Sequence, residues 1–326
     1  MKNKANKVLK YALPAALMVV LLYFAFRSVK WSDFTSGLQS TNFAFVLLSM
    51  LCGLMAFVFR AMRWKLLMRP LDPQIRFPRI FDGVCIGNLA NCALPFAGEF
   101  ARCAVVSTKK AGFDKTLGTI ALERVWDLIS IVIIVILAFV LKGETVGNFL
   151  RDNVIEPIAS NSWKAVVLAV PFLILCAAVI WATFHYKENS RLFGKIYKAL
   201  CGLGQGFISV LKMKGKGFFL ILTVLIWTMY WLMCVSISTG FPAANSLSIS
   251  DTLFIMAVGN LASVIPVPGG FGAYHYIVAL ALSGLYGLSW DNGIVFATLS
   301  HESQALVMIG TGLICYCHRS LSMRKN

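Results

Sequence analysis

Long apolar runs separated by short basic stretches set the plan of this chain. Runs at 11–26, 43–67, 119–141, 163–184, 218–237 and 293–316 lie near the roughly 17–25 residues that a helix needs to cross a hydrocarbon core about 30 Å thick. Two further apolar stretches are each broken in the middle. The first starts near Phe81, runs through Cys92 and breaks at Leu94-Pro95-Phe96-Ala97-Gly98. The second has arms at 251–265 and 273–288 around Pro266, Pro268, Gly269, Gly270 and Gly272. Each arm is about half a membrane long, so a helical hairpin that enters and leaves on one side fits it. Non-helical backbone at that depth is tolerated only where protein buries it or where it lines a watery cavity. The predicted fold is therefore an all-α integral membrane protein of about six transmembrane helices plus two re-entrant helical hairpins.

Order and sidedness make the two halves resemble each other. Two spans, a hairpin and a third span occupy about 11–141, and the same series recurs at about 163–316. Gly259-Asn260-Leu261-Ala262 repeats Gly87-Asn88-Leu89-Ala90 just ahead of each break. With three crossings per half the second copy is inverted, and the proline-glycine tips can meet near the midplane. Inverted repeats with interrupted helices are the pattern of alternating-access transporters. Chance agreement of two tetrapeptides is the competing explanation, and it leaves the hairpins standing on length alone.

Composition narrows the class further. With 58% hydrophobic residues, 13% charged residues and a mean hydropathy of +0.75, the 326 residues read as a single polytopic membrane domain. The net charge of +16 does not imply nucleic acid, because the basic residues fall in short loops, as the positive-inside rule expects. Lys2, Lys4, Lys7 and Lys10 precede the first run, which lacks an A-x-A-like cleavage site and so reads as an uncleaved helix. Arg60, Arg63, Lys65, Arg69, Arg76 and Arg79 end the second run, and His318, Arg319, Arg324 and Lys325 end the last. Both termini are thus expected on the cytoplasmic side of a plasma membrane. Residues 187–216 carry apolar positions at helical spacing beside seven basic ones; an interfacial amphipathic helix and a loop helix packed on the bundle both fit. The nine cysteines form no CxxC and read as small buried hydrophobes.

Charges inside apolar segments mark the candidate site. Glu99 and Arg102 follow the first break, and Glu123, Arg124 and Asp127 lie at the start of the third span. Ionisable groups at that depth are costly, by roughly 2.5–3.5 kcal/mol each on insertion scales, so each needs a partner or a function. Two accounts remain open. The five form a shared polar site, whose guanidinium groups suit phosphate and whose carboxylates suit an amine or a proton. Alternatively Glu99 and Arg102 pair along one helix, and Glu123, Arg124 and Asp127 serve the helix N-terminus.

The series GNLANCALPFAGEFAR, ALERVWD and IPVPGGFGAYH resembles the transmembrane region of lysylphosphatidylglycerol synthases, the flippase part of multiple peptide resistance factors, and its stand-alone flippase-like relatives. The resemblance covers roughly 10–316. It implies a protein that binds or translocates lipid, with Asn91, Pro95, Gly98, Glu99, Arg102, Glu123, Arg124, Asp127, Pro268, Gly269, Gly270 and Gly272 at the family's recurring positions. His275 stands where the family commonly has glutamate, and His301 where it commonly has arginine, so the usual charge pairing is in doubt. No segment corresponds to the aminoacyl-transferring domain, and lysyl transfer does not carry over. The expected partner is a membrane phospholipid or lipid-linked substrate, with a homo-oligomer or a lipid-synthesis enzyme as further partners.

Enzyme signatures are incomplete. His301-Glu302-Ser303-Gln304-Ala305 opens like HExxH, but alanine occupies the second histidine position. No P-loop, dinucleotide fingerprint or nucleophile elbow occurs, so no cofactor and no metal are expected. A membrane-embedded headgroup-modifying enzyme and a lipid-binding accessory subunit remain the alternatives to a flippase.

Overall fold

The computed structural model describes residues 2–144, 213–262 and 265–324, with single positions at 147, 185 and 210; side chains are described from Leu13 to Ser322 within these ranges. The expected span at 163–184 and the amphipathic stretch at 187–216 fall outside the described residues, apart from positions 210 and 213–216. Every regular element described is helical: α1 (Lys2–Phe26), α2 (Trp31–Ser40), α3 (Phe43–Met68), α4 (Phe77–Ala93), α5 (Ala97–Val106), α6 (Phe113–Leu141), α7 (Lys216–Gly240), α8 (Ile249–Ala262), α9 (Ala273–Tyr286) and α10 (Trp290–Arg324).

Among the described residues α3, α6 and α7 are long and apolar enough to cross a membrane. A fourth candidate arises if α1 from Leu13 and α2, bent by 87°, count as one broken span. The last expected span is one 35-residue helix, α10. It is not in this group, because the polar run at 300–304 interrupts its apolar character. Large apolar side chains face outward on the spanning helices, among them Leu47 and Leu51 of α3, Ile133 and Val140 of α6 and Val224 of α7. That is the outer surface a helix presents to lipid rather than to water.

The stretch 31–40, which reads as a connection in the sequence, folds as α2. It buries Phe34 and Gly37 and turns serine, threonine and glutamine outward. A Cβ on Gly37 would lie 3.0 Å from Val295, so α2 lies close on α10. The bend before it is fixed to the same helix: the Lys30 amide donates to Asp291 at 2.9 Å and Trp290 Nε1 donates to the Ala25 carbonyl at 2.9 Å.

Helices α3 and α7 run antiparallel along their length. The Asn42 amide donates to the Gly240 carbonyl at 2.8 Å at one end, and Arg63 Nη1 donates to Thr223 at 3.3 Å near the other.

Each interrupted stretch folds back on itself. Arg79 at the start of α4 donates to the Val105 and Ser107 carbonyls at the end of α5, at 3.0 and 2.7 Å, so α4 and α5 form a hairpin. Its turn places Phe96 in the left-handed region at φ 64°, and Asn91 Oδ1 accepts from the Gly98 amide at 2.7 Å. The arms meet glycine to glycine, since a Cβ on Gly98 would lie 2.3 Å from the Gly87 carbonyl oxygen. In the second hairpin Phe254 of α8 packs with Leu285 and Tyr286 of α9, and Gly259 fits against the Tyr274 ring. Its break, described from 265 to 272, holds a short 3-10 turn at Pro268–Gly270. Gly272, at φ 81°, sits so close to α1 that a Cβ there would meet the Leu22 amide at 2.8 Å. The two breaks approach each other: a Cβ on Gly269 would be 3.5 Å from Cys92 Cα.

One apolar cluster collects α3 to α6 around Phe57, Trp64, Val84, Val106 and Ile120; a second collects α7 to α10 with α1 and α2 around Phe241, Ile255, Val278 and Phe296. The seven cysteines among the described residues are free, and four are buried.

Gly98→Ala is expected to destabilise the fold by about 1–3 kcal/mol, because the methyl group meets backbone that cannot yield. Gly310→Ala, with open space around it, is expected to be neutral or mildly stabilising. Thermal melting of the two purified variants in detergent compares them directly; equal melting temperatures refute the close crossing.

Candidate functional site

The charged residues converge on one place between α3, α5 and α6. Glu123 is fully buried, and it faces Arg102 of α5 at 2.5 Å and Arg60 and Arg63 of α3 at 3.2 and 3.5 Å. One turn further along α6, Asp127 accepts from Arg63 at 2.5 Å and from Arg60 at 3.1 Å. Three guanidinium groups therefore share two carboxylates. The spacing on each helix makes this possible, because residues three or four apart share a face.

Aromatic and hydroxyl groups complete the arginine shells. The Arg102 guanidinium lies 4.0 Å over the Trp64 ring and that of Arg63 lies 5.5 Å over Phe219. Trp64 is in turn held by a 2.9 Å bond to Thr119. Arg60 donates to the Tyr230 hydroxyl at 3.2 Å. A second, more exposed pair lies alongside: Arg124 donates to Glu99 at 2.5 Å, with its own side chain 45% exposed.

Both sequence-level pairings are corrected here. Glu99 and Arg102 do not pair along α5; each bonds α6 instead, through Arg124 and Glu123. Glu123, Arg124 and Asp127 do not serve a helix N-terminus either, since α6 starts at Phe113, with Asp114 in its first turn. The start lies earlier than the sequence pattern shows, because polar Asp114, Lys115 and Thr116 mask the first turns.

A cavity of about 290 Å³ adjoins the cluster. Arg60, Arg124 and Asp127 form one wall; Gly269 and Gly270 of the second break, with Tyr274, Ser300 and His301, form another. Of the residues singled out from sequence, Arg124, Asp127, His301, Gly269 and Gly270 line it. Asn91, Glu99, Arg102, Glu123 and His275 lie outside its lining. Asn91 secures the first turn, and His275, 2% exposed, lies beside His301 with ring centroids 5.1 Å apart. Pro95 and Gly98 belong to the first turn; Pro266, Pro268 and Gly272 flank the second.

Arg60, Arg63 and Glu302 are absent from the sequence-level site. In the sequence the two arginines fall among the basic residues that close the second span. Their signal is their place: they sit three apart, before Leu67, on one face of a run whose other charge is Lys65. In the sequence Glu302 stands out only as part of an incomplete metalloprotease motif.

The model of the lysylphosphatidylglycerol synthase TM region matches residues 11–312. The UPF0104 membrane protein PH1989 of Pyrococcus horikoshii is 27% identical over 204 residues, 60% of this chain and 54% of that protein. Glycosyltransferase AglD of Haloferax volcanii is 21% identical over 330 residues, 92% of this chain and 53% of that protein. The matched region thus spans about half the length of these relatives. No solved structure matches the chain.

Removing Glu123 leaves buried Arg102 with no carboxylate and Arg60 and Arg63 with Asp127 alone. Glu123→Ala is expected to cost about 3–5 kcal/mol, the usual cost of stranding buried charge. Glu99→Gln, which loosens a half-exposed pair, is expected to cost under about 1 kcal/mol. Chemical or thermal unfolding in detergent ranks the two; equal losses contradict the burial-based ordering.

Proposed function

The chain belongs to the lysylphosphatidylglycerol synthase TM-region family, and from that premise we propose that it binds the headgroup of a phospholipid or lipid-linked substrate in the cavity and translocates it across the bilayer. The observation that carries the reading is the cavity itself: it lies between a charged cluster with three arginines to two carboxylates and the broken backbone of the second hairpin. Excess guanidinium charge beside the cavity favours an anionic group, with Arg124 and Arg60 on the wall as its donors.

In this reading α4–α5 and α8–α9 are re-entrant hairpins entering from opposite faces, and 11–141 and 163–316 are inverted repeats with both termini cytoplasmic, in the plasma membrane. The approach of Gly269 to Cys92 supports it, as does the fold-back of both interrupted stretches. Breaks in helices are where transporters of this kind bind substrate and change access.

Headgroup chemistry is the second reading, prompted by the relative named as a glycosyltransferase. The ion pairs weigh against it: a general base needs a free lone pair near the substrate, whereas Glu123 and Asp127 are each engaged by more than one arginine. The accessory-subunit reading has no specific observation in its favour.

Reconstitution tests the three. Liposomes with a fluorescent anionic phospholipid are expected to show chain-dependent movement between leaflets, and Arg124→Gln is expected to slow it by about tenfold, equivalent to ~1.4 kcal/mol, with an unchanged melting temperature. Altered headgroups with no movement establish the enzyme; neither effect leaves the accessory role. In intact cells a cysteine at Asn245, on a background lacking native cysteines, is expected to react with an impermeant thiol reagent, while one at Gln74 is not. Labelling at Gln74 refutes the assigned orientation.

A further inference from the structure

His275, His301 and Glu302 form a cluster of which only His301 reaches the wall of the cavity. Nε2 of His275 lies 3.3 Å and Nδ1 of His301 lies 3.1 Å from the same oxygen, Glu302 Oε1. The three donor atoms fall within 4.8 Å of one another. Both rings are buried, at 2% and 7% exposure, whereas Glu302 is 37% exposed.

The hydrogen-bond ledger of His301 does not close with a neutral ring alone. Its Nε2 faces the Gly269 carbonyl at 3.0 Å and its Nδ1 faces the Glu302 carboxylate. Both are acceptors, and neutral imidazole has a single N–H. Either the buried ring carries two protons, or Nε2–H serves the carbonyl and the Nδ1 lone pair points at a cation shared with Glu302. The distances favour the cation. A charge-assisted N–H···O bond is about 2.7–2.9 Å long, shorter than both contacts. Ligands at about 2.0–2.1 Å in a tetrahedral site stand about 3.3–3.4 Å apart, close to the 3.3 and 3.1 Å that separate the two histidine nitrogens from Glu302 Oε1. A backbone carbonyl that takes the other ring N–H is the usual outer support of a metal-bound histidine.

We propose that His275, His301 and Glu302 bind one divalent transition-metal ion of the zinc class. Two nitrogens and one carboxylate suit zinc, not calcium or magnesium, which prefer all-oxygen sites. The exposed side of Glu302 leaves the fourth position to water or to an oxygen of a ligand. The second histidine that Ala305 denies to the HExxH-like run is supplied in space by α9. Through the Gly269 carbonyl the ion fastens the second turn to α10 and places positive charge beside the cavity.

The test measures metal, not transport, so its failure is distinct from failure of the lipid reading. The untagged full chain, stripped with chelator and dialysed against zinc, is expected to retain one equivalent by elemental analysis. His318→Gln is expected to match the wild type. His275→Gln and Glu302→Gln are expected to weaken binding by at least about tenfold and to lose the zinc-dependent rise in melting temperature seen in the wild type. Should the variants misfold, cobalt decides on the wild type: intense visible bands of a four-coordinate site support the proposal. A weak six-coordinate spectrum, no retained zinc, or wild-type affinity in Glu302→Gln overturns it.

Discussion

Glu123 is the constraint on which the rest depends. A carboxylate with no exposed surface inside an apolar bundle is stable only if cations meet it there, and Arg60, Arg63 and Arg102 do so from two different helices. Each guanidinium is itself costly to bury, and Trp64, Phe219, Thr223 and Tyr230 offset part of that cost. Such a network adds little net stability over an apolar core of equal volume. Its effect is geometric: α3, α5 and α6 have one arrangement in which every charge is answered. The first hairpin is thereby fixed to the bundle, and the wall of the cavity is placed.

Glycine sets the second constraint. Where charge fixes position, the close approaches of Gly87 to Gly98 and of Gly272 to α1 fix distance, and no side chain fits at these crossings. Packing of this kind holds helices together where lipid removes the hydrophobic drive for association. The cavity results from both: ionic pairing holds one wall, and the backbone of an interrupted helix forms the other.

Much of this was legible in the sequence, and the illegible part has a physical reason. Apolar length located α3, α6 and α7, and proline with glycine located both breaks, because these signals are local. Pairing is not local. Glu99 and Arg102 satisfy the spacing of a helical ion pair, yet each finds a partner on α6, since a buried carboxylate competes better for a guanidinium than a neighbour on the same helix. Arg60 and Arg63 resembled loop cations because the positive-inside pattern accounted for them already. His275 and Glu302 lie on different helices, 27 positions apart in sequence, and only the fold brings them together. The helix α2 is not legible because it is short and buries only Phe34 and Gly37.

The second break touches three neighbours at once: α1 through Gly272, α4 through Gly269 and α10 through the bond from His301 to the Gly269 carbonyl. None of these contacts can be released alone, because all are borne by four consecutive residues of one short turn. A shift of that turn is therefore felt simultaneously by the N-terminal helix, the other hairpin and the last helix. Three elements are thus tied at one turn, and α1, bent and bonded onto the start of α10, is held both there and at Leu22 against Gly272.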